Sequence, residues 1–308
     1  IAIGFDALKV NTNSGNTAVG ASALAANTIG GYQVALGFEA LKANTTGVEN
    51  TAVGYNALIA NTTAANNTAV GKNSLDANTT GGNNTGVGWE SLSSNTTVND
   101  NTAVGYKSLR YNTTGTKNAA LGSGAGRETT TGTGHTLVGY RALATSTTGA
   151  GSTAVGSEAL TVYTGDSATA VGFEALKANT TGTANTALGY QAGDAVTTGS
   201  QNVLIGMNAG GAMVDGHWNV LIGKDCVASG NPSGSVIIGL DAGTGATGSN
   251  NVFIGRGAAD GTATTSDNCI VIGKSAAPSS TSVDNEITLG STSITRFRIP
   301  GLNFDLKS

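Results

Sequence analysis

The sequence predicts an all-β fold, a parallel β-solenoid of about 18 coils with a 17-residue period. Two observations carry this prediction. A glycine that follows a short apolar run recurs at a nearly constant interval from one end of the chain to the other. The segments between these runs are rich in Asn, Thr and Gly, whereas the 308 residues include only three prolines and 11% charged residues. Such a composition suits a scaffold of short strands and turns rather than a solvated, disordered chain.

The recurring glycine defines the coil, and positions are counted from it below, so that position -2 lies two residues before it and +4 four residues after it. The spacing is 17 residues, with four contractions to 16 and one expansion to 18. The glycines at position 0 are Gly4, Gly20, Gly37, Gly54, Gly71, Gly88, Gly105, Gly122, Gly139, Gly156, Gly172, Gly189, Gly206, Gly223, Gly239, Gly255, Gly273 and Gly290. We expect this glycine to supply a positive φ or a close backbone approach at a corner.

Each coil is predicted to contain two short strands joined by an Asn/Thr/Gly turn. The first strand is the β-forming run before the glycine, such as Thr51-Ala52-Val53. The second follows it, because a segment such as Phe173–Ala178 is too short for a helix and is stopped by Asn179-Thr180-Thr181-Gly182. One coil buries too few aliphatic side chains to offset its backbone entropy, so stability must come from the stack. Coils about 4.8 Å apart give a rod roughly 80 Å long.

Both faces of the first strand are largely apolar. Position -2 carries Ala or a larger aliphatic residue, and positions -3 and -1 carry Thr, Val, Ile or Leu on the opposite face. Such a strand is covered on both sides. One cover is the interior of the coil, and the other is predicted to be further copies of the chain, for which a homotrimeric fibre is the simplest closed arrangement.

The chain divides into three regions. Residues 1–198 are uniform TAVG-type repeats, residues 199–290 are VLIG-type repeats with an altered core, and residues 291–308 are a C-terminal exit segment that alternates apolar and polar residues as a strand pair. In the second region position -2 becomes large while +4 becomes small, which indicates that the two columns share a compartment. The coil of Gly122 breaks this rule, since Ala120 and Gly126 are both small.

Charge and apolar patterning exclude several partners. The net charge is -4, so we expect no nucleic-acid binding, and no apolar run is long enough for membrane insertion. Cys226 and Cys269 occupy different positions in different coils, which favours neither a disulfide nor a metal site. The chain opens inside a repeat, and we expect its natural start to lie upstream of Ile1.

Position +1 provides the candidate binding site, a column of aromatic residues. Eight of the fifteen aromatic residues fall there. Phe5 opens the column, and the candidate ligand-stacking residues are Phe38, Tyr55, Trp89, Tyr106, Tyr140, Phe173 and Tyr190. Such rings can stack on sugars, or they can pack a corner or a seam between subunits; the regular spacing favours a structural role.

No catalytic, cofactor or metal site is predicted. Position +2 mixes acidic residues with Lys107 and Arg141 and is expected to face water, without a second carboxylate at a catalytic spacing. His135 and His217 lie far apart without a nucleophile and an acid beside them. Asn recurs at positions -4 and +7, where stacked amides can hydrogen-bond along the rod and Asn tolerates left-handed turns. Sequons such as Asn44-Thr45-Thr46 and the Thr arrays, which resemble those of ice-binding solenoids, are more simply products of the repeat.

Two related groups of proteins resemble this sequence over nearly its whole length. Val-Leu-Ile-Gly and Ser-Val-Ile-Ile-Gly, followed by Ala-rich segments, resemble the head repeats of YadA-type trimeric adhesins. The form Asn-Thr-Ala-Val-Gly-Tyr-x-Ala-Leu-x-x-Asn-Thr-Thr, with Ile287-Thr288-Leu289-Gly290 and the exit Arg298-Ile299-Pro300-Gly301, is similar to bacteriophage tail-fibre proteins.

The resemblance implies a non-catalytic structural or adhesive fibre. We expect a tail-fibre shaft in a virion that projects a host-receptor-binding tip. Its implied partners are its own copies, other tail or baseplate proteins, and a glycan or protein receptor on the host surface. The alternative is the head of a bacterial trimeric adhesin, outside the cell or on its surface. A polysaccharide-degrading β-helix enzyme and an ice-binding solenoid are less favoured.

Overall fold

The computed structural model describes residues 1–260 and 265–296, and it confirms an all-β parallel solenoid with a 17-residue period. Each coil contributes one strand to a single sheet of 18 strands. The strands are β1 (Ala2–Ile3), β2 (Thr17–Val19), β3 (Val34–Leu36), β4 (Thr51–Val53), β5 (Thr68–Val70), β6 (Thr85–Val87), β7 (Thr102–Val104), β8 (Ala119–Leu121), β9 (Thr136–Val138), β10 (Thr153–Val155), β11 (Thr169–Val171), β12 (Thr186–Leu188), β13 (Val203–Ile205), β14 (Val220–Ile222), β15 (Val236–Ile238), β16 (Val252–Ile254), β17 (Ile270–Ile272) and β18 (Ile287–Leu289).

The coils stack in strict register. Every strand pairs in parallel with the strand of the next coil, and residues at equal positions are partners, as in Thr51↔Thr68 and Ala52↔Ala69. The sheet passes without interruption from β12 to β13, where the TAVG-type region meets the VLIG-type region. Columns of equal positions therefore run straight along the rod, and each column is a surface or a core element in its own right.

The prediction of a second strand in each coil is wrong. After the corner glycine the chain makes consecutive turns, in which Ala57 N–H donates to Gly54 O (3.4 Å), Ile59 N–H to Asn56 O (3.3 Å) and Asn61 N–H to Leu58 O (3.1 Å). Positions +2 and +4 have left-handed φ values, 56° at Asn56 and 52° at Leu58. A backbone that alternates in this way cannot be extended, although it still bonds between coils, as when Leu58 N–H donates to Ser74 O at 3.1 Å.

The corner glycine has both predicted properties. Gly54 has a φ of 138°, a region that side-chain-bearing residues rarely adopt. A Cβ on Gly54 would also lie 2.6 Å from the carbonyl oxygen of Gly71 in the next coil. Glycine lies directly on glycine at this corner, so no side chain fits between consecutive coils.

The inner core consists of positions -2 and +4. The side chain at +4 of one coil shares its space with the side chain at -2 of the next coil. A Cβ on Gly126 would lie 2.7 Å from Leu137 Cδ1, so the leucine at -2 of the next coil occupies the space that a leucine at +4 would fill. Conversely, a Cβ on Gly86 would lie 3.3 Å from Leu75 Cγ of the preceding coil. The expected compensation is therefore real but offset by one coil, and the Gly122 coil is no exception. The successive +4/-2 pairs include Leu58/Ala69, Leu75/Gly86, Leu109/Ala120, Gly126/Leu137, Leu143/Ala154, Gly193/Leu204, Gly210/Leu221, Val227/Ile237 and Gly243/Phe253.

Two buried asparagine ladders line the opposite end of the coil. At position +7, Asn44 Nδ2 donates to Asn27 Oδ1 (2.8 Å) and Asn61 Nδ2 to Asn44 Oδ1 (2.8 Å), as the stacked-amide prediction requires. At position -4, the Asn67 N–H donates to Asn50 Oδ1 at 2.9 Å. Asn44 is fully buried, so its sequon is inaccessible in the folded chain.

Left-handed residues lie elsewhere than predicted. They occupy positions -5, +2 and +4, as at Asn66 (62°), and not the two asparagine ladders.

Thr hydroxyls at position +8 donate to the carbonyl of the next coil, as Thr45 Oγ1 does to Thr62 O at 3.1 Å. These hydroxyls are therefore engaged in coil-to-coil bonding, which weakens the comparison with an ice-binding array.

Most of the exit segment 291–308 lies outside the described residues. Residues 291–296 form a turn closed by Ile294 N–H donating to Ser291 O at 3.0 Å, and no strand is present in those six residues. The predicted strand pair, including Arg298-Ile299-Pro300-Gly301, falls mainly on residues that are not described.

The offset packing rule gives a stability prediction. Leu137→Ala alone leaves a cavity and is expected to lower the free energy of unfolding by about 2–5 kcal/mol, whereas Gly126→Leu alone overpacks and costs about 1–3 kcal/mol. The double variant recreates the pair found at Leu143/Ala154, where Leu143 has a φ of 48° against 59° at Gly126. Urea denaturation should therefore place the double variant closer to wild type than either single variant. Strictly additive losses would contradict the offset pairing.

Candidate functional site

The outward face of the sheet is an aliphatic strip made of positions -3 and -1. Position -2 points inward and is fully buried, as at Ala52, while the residues on either side of it are half-buried or exposed. Leu121 and Leu188 keep 52% and 49% of their surface exposed. The strip is most apolar in its last six strands, β13 to β18, where both positions are aliphatic: Val203, Ile205, Val220, Ile222, Val236, Ile238, Val252, Ile254, Ile270, Ile272, Ile287 and Leu289.

The aromatic column lies beyond the corner glycine and remains accessible. Its seven candidate residues, Phe38, Tyr55, Trp89, Tyr106, Tyr140, Phe173 and Tyr190, are 40–52% exposed. Rings of consecutive coils stack: the Phe38 and Tyr55 centroids are 5.4 Å apart with an interplanar angle of 11°, and those of Phe173 and Tyr190 are 5.3 Å apart at 12°. The column is therefore a ladder of surface rings that contact one another within one chain.

Other parts of the column differ from this simple stack. Trp89 and Tyr106 are tilted by 59° at 4.9 Å, and Lys107 Nζ lies 4.8 Å from the Trp89 centroid and 4.9 Å from that of Tyr106. Tyr140 has serines, Ser123 and Ser157, at position +1 of both neighbouring coils.

Charged residues at positions +2 and +5 form a polar surface beside the aromatic column. Lys177 Nζ binds Glu174 Oε1 of its own coil and Glu158 Oε2 of the preceding coil, both at 2.6 Å, and Arg110 Nη2 binds Glu90 Oε2 at 2.9 Å. The expectation that position +2 faces water is only partly correct. Glu90 and Glu174 are largely covered, and position +2 carries a left-handed φ, 52° at Glu90 and 55° at Glu174.

A depression of about 260 Å³ interrupts the column at Ser123 and is named the Ser123 slot. Its lining residues come from positions +1, +2 and +5 of three consecutive coils and include no strand residue: Tyr106, Lys107, Ser123, Gly124, Arg127, Tyr140, Arg141 and Ala144. Gly124 is buried, and a Cβ there would lie 3.6 Å from Arg141 Cγ. Tyr106, Lys107, Tyr140 and Arg141 stand out in the sequence, but the slot between them does not. The sequence feature that marks the slot is the small pair Ser123-Gly124, at positions +1 and +2, which otherwise carry mainly aromatic and charged or polar residues.

The structure brings carboxylates of neighbouring coils into electrostatic interaction that sequence spacing did not reveal, and Asp76 with Glu90 is one such pair. Burial raises the pKa of Asp76 to about 6, and the negative charge of Glu90 in the next coil adds to this shift. Asp76 Oδ1 is buried without a hydrogen-bond partner. Glu90 is held by Arg110, and neither carboxylate lines the Ser123 slot.

The histidines and cysteines take part in the hydrogen bonding and packing of the coils. His135 takes the place of an asparagine in the -4 ladder, where its Nδ1 accepts from Ser152 N–H at 3.2 Å, and burial lowers its pKa. His217 Nδ1 accepts from Ser200 N–H at 3.0 Å. Cys226 and Cys269 are buried free thiols, and residues 1–260 and 265–296 contain no group of three or more His, Cys, Asp or Glu side chains that could hold a metal ion.

A scan against protein-family models and a search of curated proteins both return no match to this chain. Over the part of the chain that the structure describes, no helix is long and apolar enough to cross a membrane. The accessible features are thus the aliphatic strip, the aromatic column with its Ser123 slot, and the charged columns beside it.

Asp76→Asn should stabilise the protein at neutral pH. The native pKa of about 6 exceeds the ordinary value of 3.8, so the folded state binds the proton more tightly and wild-type stability falls as the pH rises from about 4 to 6. An amide has no charge to desolvate, and the variant is expected to gain up to about 3 kcal/mol above pH 7. Denaturation between pH 4 and pH 8 measures both the gain and the lost pH slope.

Asp100→Asn is the matched control for this prediction. Asp100 is exposed at position -5, where Asn66 and Asn83 already occur, so the change should move stability by no more than about 0.5 kcal/mol. An equal gain in the two variants, or an unchanged pH slope in Asp76→Asn, would show that burial of Asp76 is not the cause.

Proposed function

We propose that the chain is the shaft of a homotrimeric, non-catalytic fibre of the bacteriophage tail-fibre kind, which projects a host-receptor-binding tip. The observation that carries the proposal is the aliphatic strip. It extends over all 18 strands, so at about 4.8 Å per coil and two outward residues per strand it measures roughly 80 by 7 Å. Even with nine threonines among its outward residues, the strip matches the largest apolar patches of monomeric proteins, about 300–600 Å², which are often functional.

The distribution of side chains favours parallel copies of the same chain as the partner. The last six strands of the strip, β13 to β18, are wholly aliphatic at positions -3 and -1, whereas nine of the first twelve coils carry Thr at position -3. Parallel, in-register copies place aliphatic against aliphatic surface over residues 199–290, while antiparallel copies would place it against threonines. Three copies around an axis along the rod close the arrangement, so that every strip is covered.

The remaining features support a mechanical rather than a catalytic role. The described chain is one continuous stack in which each coil bonds to both neighbours, a construction that keeps two ends of a rod a fixed distance apart. Glu90 of the Asp76–Glu90 pair is held by Arg110, much as Lys177 holds Glu158 and Glu174 in the same charged columns. The exposed aromatic column remains available for a glycan on the host surface.

Ile254→Asp should prevent assembly of the trimer. Ile254 is the -1 residue of β16 and is 36% exposed in the single chain, so a carboxylate there would be buried against two neighbours. Leu240→Asp is the control, because Leu240 is 38% exposed at position +1, outside the strip. Native mass spectrometry should give monomers for the first variant and trimers for the second and for wild type. A monomeric wild type, or loss of assembly in Leu240→Asp only, would contradict the proposal.

The virion assignment needs a separate experiment. Gold-labelled antibodies against the chain should mark the tail fibres of phage particles, and genes for tail or baseplate proteins should neighbour its own gene. Labelling of bacterial surfaces, with a coiled coil and membrane anchor encoded downstream, would indicate the adhesin instead. Release of oligosaccharides from host polysaccharide by the purified chain would contradict the non-catalytic assignment.

A further inference from the structure

The Ser123 slot is a gap in the aromatic column with the thickness of one ring. Two of the three ring pairs in consecutive coils stack at 5.3–5.4 Å with interplanar angles of 11–12°, and in the third, Tyr106 is tilted by 59° against Trp89 at 4.9 Å. Ser123 stands where the ring between Tyr106 and Tyr140 would be, and the coils of those two tyrosines are roughly 9.6 Å apart. One ring, including the puckered ring of a pyranose, can therefore enter between the tyrosines.

Three cations surround this gap in an otherwise acidic chain. Lys107, Arg127 and Arg141 all line the slot, and no carboxylate does. Residues 107–141 contain five basic residues and one acidic residue, although the whole chain has a net charge of -4. Lys107 Nζ is 3.9 Å from Glu90 Oε2 and Arg127 Nη2 is 2.7 Å from Glu128 Oε1, so these two cations are partly neutralised. Arg141 is exposed and packs over Gly124, with its positive charge available to a ligand.

We propose that the Ser123 slot binds one acidic sugar unit, a pyranose ring that carries a carboxylate. The apolar C–H face of the ring stacks on the tyrosines, and the carboxylate accepts hydrogen bonds from the Arg141 guanidinium, with Arg127 beside it. A volume of about 260 Å³ is just below the usual range of about 300–1,000 Å³ for drug-sized ligands, and it suits a single monosaccharide unit.

A sugar site in the slot would add a ligand class to the proposed role in host attachment, and its biological meaning rests on that proposed function. The chemistry of the slot belongs to one protomer, since all lining residues come from positions +1, +2 and +5 and none from the aliphatic strip. Binding and trimer formation can therefore succeed or fail independently.

A second gap in the same column provides an internal control. Ser157 stands between Tyr140 and Phe173, so the ring spacing is the same as at Ser123. Glu158 occupies the position of Gly124, and its Oε2 binds Lys177 Nζ at 2.6 Å. A side chain and a negative charge are present where the Ser123 slot has only a glycine, so the second gap is unsuited to an acidic sugar.

The experiment is ligand-observed NMR titration of the full chain with methyl β-D-glucuronide, and with methyl β-D-glucoside as the neutral probe. Wild type is expected to bind the glucuronide with a dissociation constant on the order of 1 mM and the glucoside at least tenfold more weakly. Ser123→Phe restores the ring that other coils carry and should abolish glucuronide binding. Ser157→Phe, the same change in the second gap, should alter it less than twofold.

Arg141→Gln tests the contribution of the guanidinium charge to binding separately from that of ring stacking. It should weaken glucuronide binding about tenfold and leave glucoside binding unchanged, because only the carboxylate contacts the guanidinium. Circular dichroism and native mass spectrometry confirm that each variant folds and assembles as wild type does. Absence of glucuronide binding by wild type, equal binding by Ser123→Phe, or equal loss in Ser157→Phe would overturn the proposal, whatever the oligomeric state. Preference for a single-stranded oligonucleotide over the glucuronide would also overturn it.

Discussion

Consecutive coils lie so close together that the corner glycine of one coil touches that of the next, and the rest of the structure depends on this contact. A Cβ on Gly54 would lie 2.6 Å from the carbonyl oxygen of Gly71, well inside van der Waals distance. The same spacing allows the backbone hydrogen bonds between coils, such as Leu58 N–H to Ser74 O at 3.1 Å, and the side-chain amide hydrogen bonds of the asparagine ladders. Because every coil must meet both neighbours at this distance, a change of volume in one coil has to be compensated in the next, as Leu137 compensates for Gly126.

Strict register also determines what surfaces the rod can offer. A residue type repeated at one position becomes a strip along the whole rod, which is how half-exposed aliphatic residues become an extended apolar surface. A departure at one position has the opposite effect and creates a local site. The Ser123 slot arises in this way, because Ser123 and Gly124 remove a ring and a longer side chain from columns that continue above and below. In the fibre that we propose, assembly uses the aliphatic strip and recognition uses an interruption of the aromatic column.

The features that repeat in every coil and lie in its interior or at its corner could be predicted from the sequence. The period, the corner glycine, the Ala and Leu core positions and the asparagine ladders all follow from column composition and simple packing. The second strand was predicted wrongly, since Leu58 has a left-handed φ of 52°, a conformation that the local sequence of a leucine does not indicate. Glycine at the same position in other coils, such as Gly126 and Gly193, was the available signal. The one-coil offset of the core pairing and the Asp76–Glu90 contact depend on the rise and tilt of the coils, which no single repeat encodes.

We propose that this rod consists of three parallel chains that cover one another's aliphatic strips. Mass per unit length, measured by scanning transmission electron microscopy of the assembled chain, tests it most directly. We expect three chains of 30.2 kDa within one rod roughly 80 Å long. A rod of that length with the mass of one chain would contradict the account, as would a longer rod with the mass of one chain for every 80 Å or so of its length.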